Sequence, residues 1–488
     1  MESLEKNKTW ELVTLPKDKR PIGCKWTFKV KVNQEGKVER YKARLVAKGY
    51  NQKYGHDYDQ TFAPVVKHST IRLFLTVATY KNMHVKHIDI KTAFLHGELE
   101  EEIYMSQPEG FIKPGYEDKV CKLKKSLYGL KQAANAWNTK ISETLKKNNF
   151  TQSLSDSCLF TKNSNGNQIS IILYVDDILI SCEDNEEINK VINVLQNEFE
   201  IKNLGDVTNY LGINISRNEN GEFKLSQKAK IEELAETFEM KNAKPTYTPM
   251  DTSYLKNDGE TAQLSDNTQY RKAIGSLLYI ATVTRPDIAM AVNRLSRKNE
   301  RPTEKDWTAV LKVISYLYST KDLNLTIGTS SPPILTGYSD ADWASDKETR
   351  SSTSGNLFFL GDNIISWFSK RQNCIALSST ESEYIAAAHA AQEIQWLIPL
   401  LNDFELKQTL PIKLFEDNKS CIILSQTGKT DTRIKHIDVK YHYLRNLQND
   451  NIIKIEYCKS KDMIADFLTK PLPKQNFLNF RNMLKLFP

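Results

Sequence analysis

The chain has 488 residues, 40% hydrophobic and 26% charged, with 19 Gly and 16 Pro. That composition excludes a disordered or collagen-like chain, and the length implies several domains of roughly 100–200 residues each. Sixty-seven Lys and Arg against 60 Asp and Glu leave a net charge of +7, which permits an anionic partner without requiring one.

No apolar run approaches the roughly 18 residues of a membrane span. The best candidate, Ile169 to Ile180, is interrupted by Asp176 and Asp177, and Met1 to Lys8 lacks the apolar stretch of a signal peptide. Cysteines at positions 24, 121, 158, 182, 374, 421 and 458 are widely spaced with no CxxC pair, which argues for reduced thiols rather than a zinc ribbon or a disulfide framework. A soluble, intracellular protein with no membrane contact is expected.

In chain order, Trp26 to Val32 alternates apolar and basic residues, which predicts a half-buried strand with a cationic outer face. A turn at Asn33–Gly36 and a return strand over Tyr41–Lys48 would complete a basic hairpin. His87-Ile88-Asp89-Ile90 reads as a short strand leading into a helix start. Over Ile169–Cys182 two β-rich apolar runs flank Asp176-Asp177, which places the pair at a hairpin tip. Apolar residues recur at helical spacing over Glu186–Phe199 and Gln227–Phe238.

Pro245 and Pro249 suggest a boundary, followed by helices over Tyr270–Leu295 and Glu304–Tyr318 and a second boundary at Ser330–Pro333. Beyond it the pattern predicts strands at 334–339 and within 356–377, a long helix at about 381–402, and a strand at 411–416. A short helix at 418–426, a strand at 452–458 and a final helix from about Lys461 follow. Mixed strands with covering helices suggest an α/β domain.

Asp176-Asp177 is the one Asp-Asp dipeptide in the chain, and both its flanks are apolar. Adjacent carboxylates are stabilised by a divalent cation, although a polar hairpin turn explains the pair equally well. Asp89 could be a helix N-cap. Together the three acids suit two-metal phosphoryl or nucleotidyl transfer, in which carboxylates bridge ions about 3.5–4 Å apart. A second set, Asp340 (with Asp342), Glu383 (with Glu381), Asp417 and Asp466, falls on strand ends and helix starts of the last domain, and suits phosphodiester hydrolysis by the same means. Thr380-x-x-Glu383 and Ser378-x-x-Glu381 both fit a capping box, Asp417 could be an N-cap, and Asp466 a solvated residue of the final helix. His436 and His442 do not share a helical face for metal binding.

Trp10-Glu11-Leu12-Val13, Tyr41-Lys42-Ala43-Arg44-Leu45-Val46-Ala47-Lys48-Gly49, Asp89-Ile90-Lys91-Thr92-Ala93-Phe94-Leu95, Ser126-Leu127-Tyr128-Gly129-Leu130-Lys131-Gln132 and Tyr174-Val175-Asp176-Asp177 resemble the reverse transcriptase of copia-type LTR retrotransposons. Gly337-Tyr338-Ser339-Asp340-Ala341-Asp342-Trp343-Ala344, Ser378-Ser379-Thr380-Glu381-Ser382-Glu383-Tyr384, Glu416-Asp417-Asn418 and Lys435-His436-Ile437-Asp438 resemble the tethered RNase H of the same elements.

The resemblance implies a multidomain α/β and α+β chain, a right-hand polymerase of fingers, palm and thumb followed by an RNase H-like α/β domain. Fingers and palm would occupy 1–225, thumb and helical connection 226–330, RNase H 331–475, and a tail 476–488. It further implies Mg²⁺, with Mn²⁺ as a substitute, held by Asp89, Asp176 and Asp177 for polymerisation and by Asp340, Glu383, Asp417 and Asp466 for hybrid cleavage. Lys42 and Arg44 are candidates for the triphosphate, Phe94 for excluding a 2′-OH, and the Tyr210–Gly212 segment for positioning the primer terminus. Glu383 is chosen over Glu381 for its Glu-Tyr-x-Ala context. The partners implied are an RNA template, a DNA primer, deoxynucleoside triphosphates and an RNA·DNA hybrid, in a cytoplasmic particle. The start at Met1 and the missing protease and zinc-module signatures imply that packaging and integration come from elsewhere or do not occur. The alternative is a catalytically silent or host-adopted nucleic-acid-binding remnant.

Overall fold

The computed structural model describes residues 1–488 except 33–37, 256–260, 347 and 428–437, so His436 lies outside the described residues. The chain divides into two compact units, Met1–Val66 with His84–Asp206, and Lys67–Met83 with Val207–Pro488. Among the described residues no helix is long and apolar enough to cross a membrane.

The first unit is built on a six-stranded sheet in the order Ile201–Asp206, His84–Ile90, Asp177–Cys182, Asn167–Tyr174, Leu159–Ser164, Thr151–Gln152. Strands Asp177–Cys182 and Asn167–Tyr174 read as near-continuous apolar runs because successive residues, Ile171 and Ile172, Ile178 and Leu179, are buried on both faces. Ile88, Ile178, Ile180 and Ile171 pack with Trp137 and Ile141 of helix Ala133–Lys147 and with Ile188 and Leu195 of helix Asn185–Gln196. The hairpin is where the pattern predicts, but its tip is one residue earlier: Val175-Asp176 form the turn and Asp177 is the first residue of the return strand.

A two-stranded ribbon, Cys24–Val32 with Val38–Ala47, joins a smaller core around Leu45, Met105 and Leu127. Here the expectation of a half-buried strand fails. Phe28 and Tyr41 are each 79% exposed and Val30 49%, so the outer ribbon is solvated on its apolar face as well. Alternation reports sidedness, but no layer of the described residues covers this ribbon beyond its base, where Trp26 meets Phe111 at a ring distance of 5.5 Å.

The second unit holds two five-stranded sheets. One runs Asn209–Tyr210, Ile213–Arg217, Phe223–Ser226, Asn324–Ile327, Leu486–Phe487. The other runs Asn363–Arg371, Thr353–Leu360, Leu335–Asp342, Ile412–Glu416, Ile453–Tyr457, antiparallel across its first three strands and parallel across the rest. Helix Ser379–Asp403 covers this sheet with its buried run Tyr384-Ile385-Ala386-Ala387-Ala388.

Two predicted helices are corrected. The stretch 270–295 splits into Thr268–Val283 and Ala289–Ser296. Pro286 donates no backbone hydrogen bond, and Arg285 turns into the core to meet Asp287 at 2.6 Å, with Tyr316 donating to the same carboxylate at 2.7 Å. The helix expected from Lys461 is instead a pair of 3₁₀ turns, Ser460–Asp462 and Ile464–Leu468, ahead of an α-helix at Lys474–Met483.

Candidate functional site

In the first unit, strand Asp177–Cys182 pairs antiparallel with His84–Ile90 so that Asp177 stands directly opposite Asp89. The turn preceding Asp177 is anchored on both sides. The Asp176 carbonyl accepts from Ile90 N at 2.9 Å, and the Val175 carbonyl accepts from Trp137 Nε1 at 2.6 Å. Val175 has φ +55°, a strained conformation for a β-branched residue that these contacts hold in place. Asp89 is therefore a strand residue. The 3₁₀ helix Ala93–His96 that follows takes Thr92 at its N-cap position, so the capping alternative for Asp89 is removed.

Asp89 and Asp176 line one cleft of about 490 Å³, together with Lys42, Arg44, Lys91, Tyr128 and Lys202. Burial pushes the Asp176 carboxyl up, the charges of Asp177 and Asp89 push it further, and Lys42 opposes them. Asp177 is held differently, with its Oδ1 3.1 Å from Nε2 of the buried His87. The Arg44 guanidinium lies 5.2 Å from the Tyr128 ring centre, and Phe94 stands edge-on to that ring at 4.9 Å, beneath the residue that faces the cleft. Gly129 lets Tyr128 come this close. Its φ is +93°, a Cβ there would fall 2.2 Å from the Ala47 carbonyl, and Ala47 N donates to the Tyr128 carbonyl at 2.7 Å.

Tyr210 and Gly212 belong to the second unit. The Tyr210 side chain is buried there, and Leu211 and Gly212, both at positive φ, form a turn whose Leu211 carbonyl accepts from the Tyr279 hydroxyl.

The second unit gathers the other acids. Asp340 is on the central strand Leu335–Asp342, Glu383 on helix Ser379–Asp403, Asp417 just past strand Ile412–Glu416, and Asp466 on the 3₁₀ helix Ile464–Leu468. Carboxylate oxygens of Asp340, Glu383 and Asp417 lie within 4.8 Å of one another, the only such trio found among the described residues. The helix start is served by Ser378 and Glu381: Glu381 N donates to Ser378 Oγ at 3.2 Å, and Glu381 Oε2 accepts from Leu377 N at 2.8 Å. Glu383 is left to point inward, and its Oε2 is buried without a hydrogen-bond partner.

Burial pushes the Asp340 carboxyl up to about 8, helped by the charge of Asp466. Burial and the charge of Glu416 raise Glu383 well above the usual carboxylate range. A cluster of oxygen donors, two of them buried and one with an unpaired oxygen, fits a hard divalent cation, and the choice is between such an ion and protonation.

Sequence reasoning missed several contributors. Tyr128 and Glu416 lie within the quoted blocks but were given no role, and His87, Thr469 and Lys470 carry no pattern of their own; Thr469 Oγ1 donates to Asp340 Oδ2, and Lys470 Nζ is 2.7 Å from Asp466 Oδ1. Gly355 stands opposite Asp340 in the sheet, and a Cβ there would lie 2.7 Å from Thr469 Cγ2 and 2.8 Å from Leu468 Cβ. Its bare backbone is what lets the Asp466 segment lie on the strand, and a glycine inside an otherwise β-rich run was the available signal.

Residues 7–252 match the family model described as reverse transcriptase (RNA-dependent DNA polymerase). The chain is 44% identical over 486 residues to a retrovirus-related Pol polyprotein from transposon TNT 1-94 of Nicotiana tabacum, covering 98% of this chain and 36% of that protein. It is 40% identical over 475 residues to one from transposon RE2 of Arabidopsis thaliana, covering 97% and 32%. A putative transposon Ty5-1 protein of Saccharomyces cerevisiae is 34% identical over 308 residues, 63% of this chain and 100% of that one. The chain spans about a third of the length of the two plant polyproteins it matches. By these matches the chain belongs to the reverse transcriptase (RNA-dependent DNA polymerase) family, as a homologue of the Pol polyproteins of copia-type transposons.

Proposed function

We propose that the chain is an RNA-directed DNA polymerase that extends a DNA primer on an RNA template from deoxynucleoside triphosphates, with a tethered RNase H that cleaves the RNA of the resulting RNA·DNA hybrid. The observation that carries the first activity is the cleft in which Asp89 and Asp176 face Lys42 and Arg44 within the region matched to the family. Asp89, Asp176 and Asp177 are the residues that would hold Mg²⁺, or Mn²⁺ in its place. Bound there, the ions supply charge stabilisation at the attacking and leaving oxygens.

The chain's own residues do the positioning. Lys42 and Arg44 receive the triphosphate, with Arg44 kept against Tyr128 by the ring contact. His87 orients the Asp177 carboxylate. Phe94, packed under Tyr128, sets the depth of the cleft floor at which a 2′-OH is refused. Tyr210, at the end of its strand, and Gly212, in the turn that follows, form the segment assigned to the primer terminus.

The second activity is supported by the Asp340, Glu383 and Asp417 cluster on a sheet whose order and strand directions suit an RNase H-like domain, with Asp466 as the fourth acid. Synthesis and cleavage take place inside the cell on this reading. Separation of function tests it: Asp176→Asn should abolish primer extension and keep hybrid cleavage, and Asp340→Asn should do the reverse. Loss of both activities in either variant, with folding intact, would contradict the assignment of two sites.

A further inference from the structure

The acids of the second unit are not all held alike. Asp340, Glu383 and Asp417 present oxygens to one another, and the buried Glu383 Oε2 has no hydrogen-bond partner. Asp466 instead meets an internal cation, the Lys470 ammonium, 2.7 Å from its Oδ1. The side chain of Lys470 is 42% exposed and that of Asp466 13%, and Asp417 is half-buried while Asp340 and Glu383 are buried, so Lys470 lies on the side of the cluster that meets solvent. Lys470 also acts electrostatically on Asp340 and Asp342. It is carried by the segment that rests on Gly355 and whose Thr469 hydroxyl binds Asp340, so its position is fixed by the strand that bears the central acid.

We propose that Lys470 is a built-in competitor for cation binding: one divalent ion takes the Asp340, Glu383 and Asp417 group readily, while a second, which needs Asp466, binds against the lysine's charge. The inference rests on the hydrolytic reading of this cluster. A partly exposed ammonium within one ion pair of a divalent ion raises the second dissociation constant by about tenfold once solvent screening is allowed for. A hybrid phosphate at the same edge offsets that charge, so the second ion is favoured when substrate is present and disfavoured when it is absent.

The test counts bound Mn²⁺ by paramagnetic resonance on the full chain, and the portion lost in Asp340→Asn identifies this cluster. Lys470→Gln should move the weaker of the cluster's two steps to about tenfold lower Mn²⁺ and leave the stronger step in place. Lys470→Arg should keep both steps where they are, and Lys470→Met, which preserves the apolar stem, should repeat the glutamine result. Unmoved steps in Lys470→Gln and Lys470→Met, or weaker binding, would overturn the lysine inference alone. If Asp340→Asn removes no bound Mn²⁺ from the wild-type count, the cluster is not a cation site, and the hydrolytic reading falls together with the inference.

Discussion

The buried acid at the centre of the second cluster ties stability to pH in a direction opposite to that of a surface carboxylate. Asp340 is 2% exposed, and its carboxyl is pushed up to about 8, first by burial and then by the charge of Asp466. In the unfolded chain an aspartate ionises near 3.9, so between about pH 4 and pH 8 the folded state keeps a proton that the unfolded state has lost, and stability falls as pH rises. About four pH units at about 1.4 kcal/mol each set a ceiling of about 5–6 kcal/mol at pH 8.

Burial raises the Asp466 carboxyl in the same cluster too, so the variant keeps part of the proton uptake, and Asp340→Asn should recover about half, ~3 kcal/mol. The substitution keeps the side-chain shape and an oxygen for the Thr469 hydroxyl. For the roughly 300 residues of the second unit, an unfolding entropy of about 0.6 kcal/mol/K converts this to a gain of about 5 °C in Tm. The assay is thermal unfolding in EDTA at pH 5 and pH 8. Asp340→Asn should melt about 5 °C above wild type at pH 8 and only about 1 °C above it at pH 5, and Mg²⁺ should raise the Tm of the second unit more in the wild type than in the variant. A Tm difference that does not change with pH, or a less stable variant at pH 8, would refute the reasoning.

Other substitutions probe the remaining contacts. His87→Ala should lower primer extension about tenfold, with His87→Gln near wild type because an amide still reaches Asp177; steady-state kinetics should place the loss in kcat. Gly355→Val should displace the Asp466 segment, costing about 1–3 kcal/mol of stability and most hybrid cleavage while primer extension persists. Asp287→Ala should destabilise the second unit by about 3–5 kcal/mol in denaturant unfolding, because Arg285 would stay buried without its counter-charge.

What the sequence disclosed and what it withheld divide along local and non-local physics. The Asp176-Asp177 hairpin was legible because apolar β-rich runs flank it, and the start of the Asp340 strand because the Ser330–Pro333 boundary precedes it. The choice between Glu381 and Glu383 was not local. Both fit a capping template, and only the contact of Leu377 N with Glu381 shows which residue the helix start uses. The ribbon misled because alternation cannot say whether a second layer covers the apolar side, and Phe28 and Tyr41 remain in solvent. The break at Arg285 was signalled by Pro286, yet its depth depends on Tyr316, which lies on the next helix but one. His87, Thr469 and Lys470 were invisible for the same reason: each acquires its role from a carboxylate that the fold brings to it.

The measurement that tests the central claim most directly is extension of a labelled DNA primer on an RNA template by the purified chain with Mg²⁺ and deoxynucleoside triphosphates, beside Asp89→Asn. Lengthening of the primer by the wild type, absent in the variant, is the predicted result. A chain that shifts the primer–template in a binding gel, with an affinity that falls steeply with salt, yet adds no nucleotide would contradict the account.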